Sequence, residues 1–225
     1  MSLLLHIETA TKVCSVALSL NGKLIHFIEE TSEKYIHSER LTILIETLMF
    51  ESSRNLADLN AITIDKGPGS FTGLRIGVSV AKGLCYALKK PLISVDSLVG
   101  LYYGFKNINN EVSQNELILP MIDARRMEVY TSGFKSNGEI IFPTSARVVN
   151  NSFFENLNEF QKVHVFGDGA KKVMDSFVNN RLVFHSEILC SATHLIERSY
   201  EKYCKNTFEN LAYFEPYYLK DFKPN

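Results

Sequence analysis

Three short apolar segments stand at the start of the chain, LLLHIET, VCSVALSL and KLIHFIEE. Segments of this length, rich in Leu, Ile and Val and interrupted by polar residues, predict β-strands. Asn21-Gly22 separates the second segment from the third and is typical of a two-residue hairpin turn. The chain is therefore expected to open with an antiparallel meander of three strands.

The pattern then changes from the period of a strand to that of a helix. In HSERLTILIETLMFES the apolar positions recur at helical spacing, and Ser38 is the predicted N-cap. LNAITID predicts a short buried strand, FTGLRIGVSVAKGLCYALKK a helix that Pro91 ends, PLISV a strand and DSLVGLYYGF another helix. The first half of the chain thus predicts the order βββαβαβα.

A polar stretch at residues 105–116, FKNINNEVSQNE, predicts a domain boundary. We expect a first domain over 1–105 and a second over 106–225, with the option that the C-terminal helix packs back on the first. The second half predicts strands in ELILPMIDA, MEVYTSGFK and IIFPTSARVV, a short helix in NNSFFENLNEF, and a strand, glycine turn and helix in KVHVFGDGAKKVMDSF. A helix over SEILCSATHLIERSYEKYC and an irregular or strand-like LAYFEPYYLKDF follow. The predicted mixture of strands and helices indicates an α/β fold.

Composition and charge narrow the class of protein. The chain has 225 residues, a net charge of −1 and four cysteines without a CxxC pair. Proteins that bind nucleic acid unaided usually carry a basic excess, so if RNA is a ligand we expect another chain to supply most contacts. There is neither an apolar run of the ~20 residues that span a membrane nor a signal-peptide pattern. We expect a cytoplasmic protein with reduced thiols and no membrane contact.

The segment KGPGSFTGLRIG, residues 66–77, raises the question of a phosphate-binding loop. It lacks the lysine of a Walker loop and the spacing of a dinucleotide fingerprint. Gly69, Gly73 and Gly77 recur every four residues and Ala81 continues the series, so on a helix they share one face. Glycine inside a helix costs about 1 kcal/mol relative to alanine, which indicates a close approach by another element. Intramolecular packing and docking of a second subunit both remain open, as does an anion at the helix N-terminus.

Few other residues in the sequence suggest a catalytic or ligand-binding role. The six histidines include neither an i, i+4 pair nor an HExxH motif, so no metal site is predicted. The FGDGA segment, with Gly167, Asp168 and Gly169, is interpreted as a tight turn, with nucleotide contact as the alternative. IDARR, with its aspartate and two arginines, is interpreted as an ion pair, with an RNA-facing role as the alternative.

Taken together, these motifs resemble one known family. KGPGSFTGLRIGVSVAKGL closely resembles the signature of the TsaB (YeaZ) family. The same family pattern appears in HIETATKVCSVAL, HSERL, PLISVDSL, MIDARRMEVY, FGDGA and the terminal EPYYLK. The resemblance implies the two-lobed ASKHA architecture of actin, Hsp70 and sugar kinases, in which mixed sheets are flanked by helices.

The resemblance also implies a function. Members of this family are noncatalytic subunits of the complex that forms N6-threonylcarbamoyladenosine on tRNA next to the anticodon, and they bind and support the catalytic paralogue TsaD. That paralogue holds its metal with two histidines four residues apart, where this chain has Ser97 and Leu101. No tightly bound cofactor is therefore expected here, and ATP and metal are expected in the partner. The resemblance further implies contact with the ATPase subunit TsaE through the complex, a homodimer when alone, and only indirect contact with tRNA.

Particular residues follow from the resemblance. The partner interface is expected on two helices, at Ser38, Leu41, Ile45, Gly69, Gly73, Leu74, Ile76, Gly77, Val80, Ala81 and Leu84. Weak nucleotide contact is expected at Glu8, Thr9, Thr11, Gly167, Asp168 and Gly169. Glu8 replaces the aspartate common in the family, which disfavours a tight phosphate site. The alternatives are an ATP-binding ASKHA enzyme active on its own, as an ATPase or in carbamoyl transfer, and, with less support, a metallopeptidase of the glycoprotease type.

Overall fold

The structure, a computed structural model, describes residues 1–32, 37–109, 111–155, 157–176 and 180–220. The chain forms two compact units. The first consists of Met1–Gly100 with Cys190–Tyr218, and the second of Leu101–Leu189 with the described residues after Tyr218. The units are therefore not two continuous halves of the chain.

The first unit is built on a sheet of five strands. They are β1 (Leu3–Glu8), β2 (Val13–Leu20), β3 (Lys23–Thr31), β4 (Ala61–Asp65) and β5 (Leu92–Val95), in the order β3-β2-β1-β4-β5. β1, β2 and β3 pair antiparallel, whereas β4 pairs parallel with β1 and β5 parallel with β4. Asn21 and Gly22 have φ of 51° and 75°, the left-handed values that a tight hairpin turn requires. The predicted meander is confirmed.

Three helices follow the strands of this unit. They are α1 (His37–Glu51), α2 (Phe71–Leu88) and α3 (Ser97–Ile108). The predicted apolar positions of α1 are buried in the core, namely Leu41, Leu44, Ile45, Leu48 and Met49. Helix α1 begins at His37, so Ser38 lies in its first turn and is not the N-cap. α3 begins in the first unit and continues into the second.

The second unit repeats the sheet of the first. Its strands are β6 (Glu116–Asp123), β7 (Glu128–Phe134), β8 (Ile140–Val148), β9 (Lys162–Phe166) and β10 (Leu182–His185), in the order β10-β9-β6-β7-β8. Again three strands pair antiparallel and two pair parallel. Two short helices, α4 (Asn151–Glu155) and α5 (Ala170–Ser176), accompany them. The predicted class, mixed sheets flanked by helices, is confirmed.

The end of the chain differs from the prediction. Helix α6 covers Ile196–Cys204 only, after a short 3₁₀ turn at Ala192–Leu195. The preceding residues are not helical because the Ser191 hydroxyl accepts from Thr193 N, and the Ile188 carbonyl accepts from Gly167 N at 3.0 Å. Residues 211–220 are irregular, and the last two residues of the segment predicted as irregular or strand-like lie outside the described ranges. Strand β10 was not predicted.

Among the described residues, none of the helices combines the length and the apolar character that a membrane span requires.

Candidate functional site

The glycines of α2 and its preceding loop lie against the turn that follows β1. Ser70 caps α2 by accepting from Gly73 N at 3.3 Å, and its own N–H donates to the Ala10 carbonyl at 2.6 Å. A Cβ at Gly69 would lie 2.4 Å from the Ala10 oxygen, and one at Gly73 would lie 2.2 Å from the Thr9 oxygen. No side chain fits at either position.

Gly77, the next glycine along α2, lies against Thr9, which in turn contacts a buried carboxylate. A Cβ there would lie 2.2 Å from Thr9 Oγ1, and this hydroxyl donates to Asp65 Oδ1 at 3.2 Å. Asp65 also accepts from Thr9 N at 2.8 Å and from the Ser97 hydroxyl at 3.4 Å. The carboxylate therefore joins the ends of β1 and β4 to the start of α3. Burial raises the pKa of Asp65 to about 7.

These contacts correct the interpretation of the glycine repeat as a docking face. The close approach at Gly69, Gly73 and Gly77 is made by the turn of the same unit, so the glycines are required by intramolecular packing. Four apolar residues of the predicted interface also point into the core of the unit, and their exposure is at most 4%: Leu41, Ile45, Leu74 and Ala81.

The remaining predicted interface positions are accessible. Ser38 is exposed, and Ile76, Val80 and Leu84 are half-buried. The sequence reasoning missed three more exposed apolar side chains on the same helices: Ile43 (44%), Phe50 (82%) and Tyr86 (81%). It also missed Gly83, where a Cβ would meet nothing within 4 Å. We define the α1–α2 outer face as Ile43, Phe50, Ile76, Val80, Gly83, Leu84 and Tyr86.

The residues of the first unit that were predicted to contact a nucleotide are buried. Glu8, Thr9 and Thr11 are 1%, 0% and 4% exposed. Glu8 Oε1 accepts from Ala10 N at 2.8 Å, and the Thr11 carbonyl accepts from His37 Nε2 at 2.8 Å. Their polar atoms thus hold the β1–β2 turn against α1 and α2. Nucleotide contact by these residues stays a prediction.

The predicted nucleotide residues of the second unit form a tight turn between β9 and α5. Gly167 has a φ of 90°, and a Cβ there would lie 2.2 Å from the Met121 carbonyl. Gly169 N donates to this same carbonyl at 3.1 Å, and Asp168 Oδ1 accepts from Asp123 N at 3.1 Å. Burial raises the pKa of Asp168 to about 6. The turn is thus held against the end of β6, and nucleotide contact here is also still a prediction.

A pair of histidines links three strands of the second sheet. His164 Nε2 lies 2.9 Å from Glu116 Oε2, and His164 Nδ1 lies 3.0 Å from His185 Nε2. Burial lowers the pKa of His185, and the neighbouring His164 lowers it further. The sequence reasoning placed His164 in a strand but had no signal for this pairing, because the two histidines lie on different strands, 21 residues apart.

Within the described ranges, no group of three or more His, Cys, Asp or Glu side chains has an arrangement that could hold a metal ion. The two positions that the resemblance compares with metal ligands are Ser97 and Leu101, and each is 1% exposed. The Ser97 hydroxyl donates to Asp65, and Leu101 belongs to the second unit.

The doubled mixed sheet places the chain in the ASKHA class of folds. Two solved structures share the fold. YeaZ from Pseudomonas aeruginosa matches with a TM-score of 0.79 and 24% identity over 97% of this chain and all of that one. The ethanolamine utilization protein EutJ from Carboxydothermus hydrogenoformans matches with a TM-score of 0.53 and 9% identity over 88% of this chain and 90% of that one.

Sequence comparison defines the family. The family model described as "TsaD: tRNA N6-adenosine threonylcarbamoyltransferase" matches residues 29–221. Two relatives are each named "tRNA threonylcarbamoyladenosine biosynthesis protein TsaB". The Escherichia coli protein is 35% identical over 59% of this chain and 54% of its own length. The Haemophilus influenzae protein is 28% identical over 97% of this chain and 93% of its own. The chain belongs to the TsaB (YeaZ) family, within the wider family that this model describes.

Proposed function

We propose that this chain is a noncatalytic subunit in the biosynthesis of N6-threonylcarbamoyladenosine on tRNA, where it binds and supports the catalytic relative TsaD. The observation that carries the proposal is the match, over 97% of the chain, to a relative from Haemophilus influenzae named for this biosynthesis. In this proposal TsaE joins through the complex, and tRNA is held mainly by the other subunits. In this proposal the complex acts in the cytoplasm.

The residues at the start of α3 support a noncatalytic role. Ser97 and Leu101 stand where the resemblance places the metal-binding histidines of TsaD. A serine hydroxyl is a poor ligand for a transition metal and leucine is none. The Ser97 hydroxyl is also engaged by Asp65. In this proposal the metal and ATP belong to TsaD, and this chain contributes a surface that holds TsaD in its active form.

The α1–α2 outer face supports docking. Ile43 and Phe50 are seven residues apart on α1, and Ile76, Val80 and Gly83 are spaced by four and three on α2, so each set shares one side of its helix. Phe50 and Tyr86 expose more than four-fifths of their surface, and burying an aromatic side chain is a large source of binding energy. Gly83 leaves space for a partner helix. Without TsaD, the same face is expected to pair two copies of the chain about a two-fold axis.

The test is co-purification with TsaD and a reconstituted tRNA modification assay. Gly83→Arg and Phe50→Asp both place a charge on the α1–α2 outer face, and the arginine enters open space, so the fold is retained. Both variants should lose TsaD binding and the stimulation of modification. Ile108→Asp makes the same kind of change at an exposed apolar residue of the second unit and should keep both TsaD binding and the stimulation of modification. If the two outer-face variants still co-elute with TsaD, docking at this face is wrong. Gly77→Arg is not a suitable variant, because its side chain would collide with Thr9.

A second candidate function is that of an ATP-binding enzyme active on its own. Glu8 and Asp65 favour it, because both carboxylates end neighbouring parallel strands, where ligands bind in many α/β proteins. The burial of both carboxylates argues against it. Steady-state ATP hydrolysis by the purified chain that disappears in Glu8→Ala would support this candidate over the first.

A further inference from the structure

A directional chain of hydrogen bonds runs from β6 through β9 to β10. Burial raises the pKa of Glu116, but the hydrogen bond from His164 and the charge of Lys162 outweigh this, so the net shift is downward and the carboxylate is ionised. An ionised carboxylate only accepts, and His164 Nε2, which lies 2.9 Å from it, therefore carries a proton. In a neutral His164 the Nδ1 atom is then unprotonated and accepts from His185 Nε2 at 3.0 Å.

This chain accommodates one added proton but not two. The first has a place at His185 Nδ1, which lies 3.7 Å from Glu187 Oε1. The second must go to His164 Nδ1, whose N–H would then point at the N–H of His185 Nε2, with no acceptor between them. Two charged rings would lie next to each other, with their centres 5.2 Å apart. The second proton therefore removes a hydrogen bond and adds a repulsion between like charges.

The surroundings of the pair do not compensate for a second charge. The ring of Phe105 on α3 contacts both imidazoles, with its centre 5.2 Å from that of His164 and 5.0 Å from that of His185. Lys162 Nζ lies 3.6 Å from Glu116 Oε1, so this carboxylate already has a cation beside it. Within the described ranges, three charged groups lie within 4 Å of the pair or of its carboxylate: Glu116, Lys162 and Glu187.

Strand β10 is the element that this repulsion would displace. It has four residues, lies at the edge of the second sheet and pairs with β9. Its residues are half-buried, and Leu182 and Phe184 pack against the edge of the core. Short segments with few fully buried side chains open locally at a lower free energy than the rest of a domain. The contact between His164 and His185 adds a tie between side chains to the backbone pairing of this strand.

We propose that entry of the second proton into the His164–His185 pair releases β10 from β9, so that the edge of the second sheet opens in acid while the rest of the sheet stays folded. The opening extends to the turn between β9 and α5. Gly167 N donates to the Ile188 carbonyl at 3.0 Å, and Ile188 N donates to the His185 carbonyl at 3.3 Å. When β10 moves away, this turn loses its tie to the chain that follows the strand. The pair thus links pH to the turn at which nucleotide contact is a prediction.

The test is hydrogen–deuterium exchange of the peptide 181–189 between pH 7.5 and pH 5, with rates corrected for the intrinsic effect of pH on exchange. In the wild type the protection of this peptide should fall about tenfold, while that of β7 stays unchanged. His185→Asn removes the titrating ring but keeps a donor for His164 Nδ1, so its protection should not change over this range. The control His26→Asn removes a histidine of the first unit and should behave like the wild type.

Glu187→Gln is a second test at an exposed side chain, where the fold is retained. Without this carboxylate a proton on His185 is less favourable, so the midpoint of opening should move to lower pH by a few tenths of a unit, as expected for an exposed pair. A midpoint that does not move would mean that His185 is not the titrating group, which overturns the inference.

Three further results would also overturn it. The first is protection of the peptide 181–189 that does not depend on pH in the wild type. The second is an equal loss of protection in the wild type and in His185→Asn. The third is an equal loss in β7 and in the peptide 181–189, because this would be acid unfolding of the whole second unit. None of these results depends on the proposed function, which the modification assay tests by itself.

Discussion

Replacing Gly73 by alanine should destabilise the protein, although alanine is the better helix former. The new Cβ would lie 2.2 Å from the Thr9 carbonyl and 3.0 Å from the His37 ring. The carbonyl belongs to a backbone that α2 itself holds, through Ser70 N and the Ala10 carbonyl. Overpacking of this kind costs about 1–3 kcal/mol. A fixed backbone places the cost at the upper end, and the gain in helix propensity offsets about 1 kcal/mol. We expect a net loss of about 2 kcal/mol.

The assay is chemical or thermal denaturation at several protein concentrations. For a protein of this size about 2 kcal/mol lowers the melting temperature by about 4–8 °C. Gly83→Ala is the matched control, because it makes the same change in the same helix where a Cβ meets nothing within 4 Å. At concentrations low enough to prevent self-association, it should stabilise the chain by up to about 1 kcal/mol.

Two results would refute this reasoning. A Gly73→Ala protein as stable as the wild type would mean that the β1–β2 turn does not require the glycine. A loss of stability that vanishes on dilution would mean that the glycine face contacts a second chain, as the spacing alone also allowed. The expected loss is independent of concentration, because both partners belong to one unit.

Two pH predictions follow. Burial raises the pKa of Asp65 from 3.8 to about 7, so its contribution to stability is full below about 4 and is lost as pH rises through about 7. Asp65→Asn keeps the shape of the side chain but does not titrate. As pH rises between those limits, the variant should therefore gain stability relative to the wild type, by at most about 1.4 kcal/mol for each pH unit. A difference in urea midpoint between variant and wild type that is the same at pH 5 and at pH 8 would contradict this. Burial and His164 lower the pKa of His185, so the wild type should lose stability as pH falls below 6.5. The His185→Asn variant should lose less stability than the wild type as pH falls below 6.5. If stability falls with pH equally steeply in both proteins, this prediction is wrong.

The local patterns predicted most of the fold. The period of Leu41, Leu44, Ile45, Leu48 and Met49 identified the buried side of α1, because that side is set by the helix itself. The Asn21-Gly22 turn was predicted for the same reason. Strand β10 was missed because four residues give little periodicity. The start of α6 was missed because the Ser191 hydroxyl caps the turn at Ala192–Leu195 and the Ile188 carbonyl accepts from Gly167 N.

The site depended on contacts that no local pattern contains. The spacing of Gly69, Gly73 and Gly77 identified a face of α2 but not its neighbour, so intramolecular and intermolecular packing gave the same sequence signal. Asp65 was not selected, because its role depends on Thr9, which lies 56 residues away. The one available signal was an acidic residue at the end of a buried apolar strand.

The return of residues 190–218 to the first unit has a consequence for synthesis on the ribosome. Ala192 N donates to the Ser15 hydroxyl at 3.0 Å, and Glu209 N donates to the Leu92 carbonyl at 2.9 Å. The part of the protein that is made first is therefore completed last, after the whole of 101–189 has been translated. A nascent chain stalled before residue 190 already contains the five strands of each sheet, but it presents to chaperones and proteases a first unit that lacks Cys190–Tyr218.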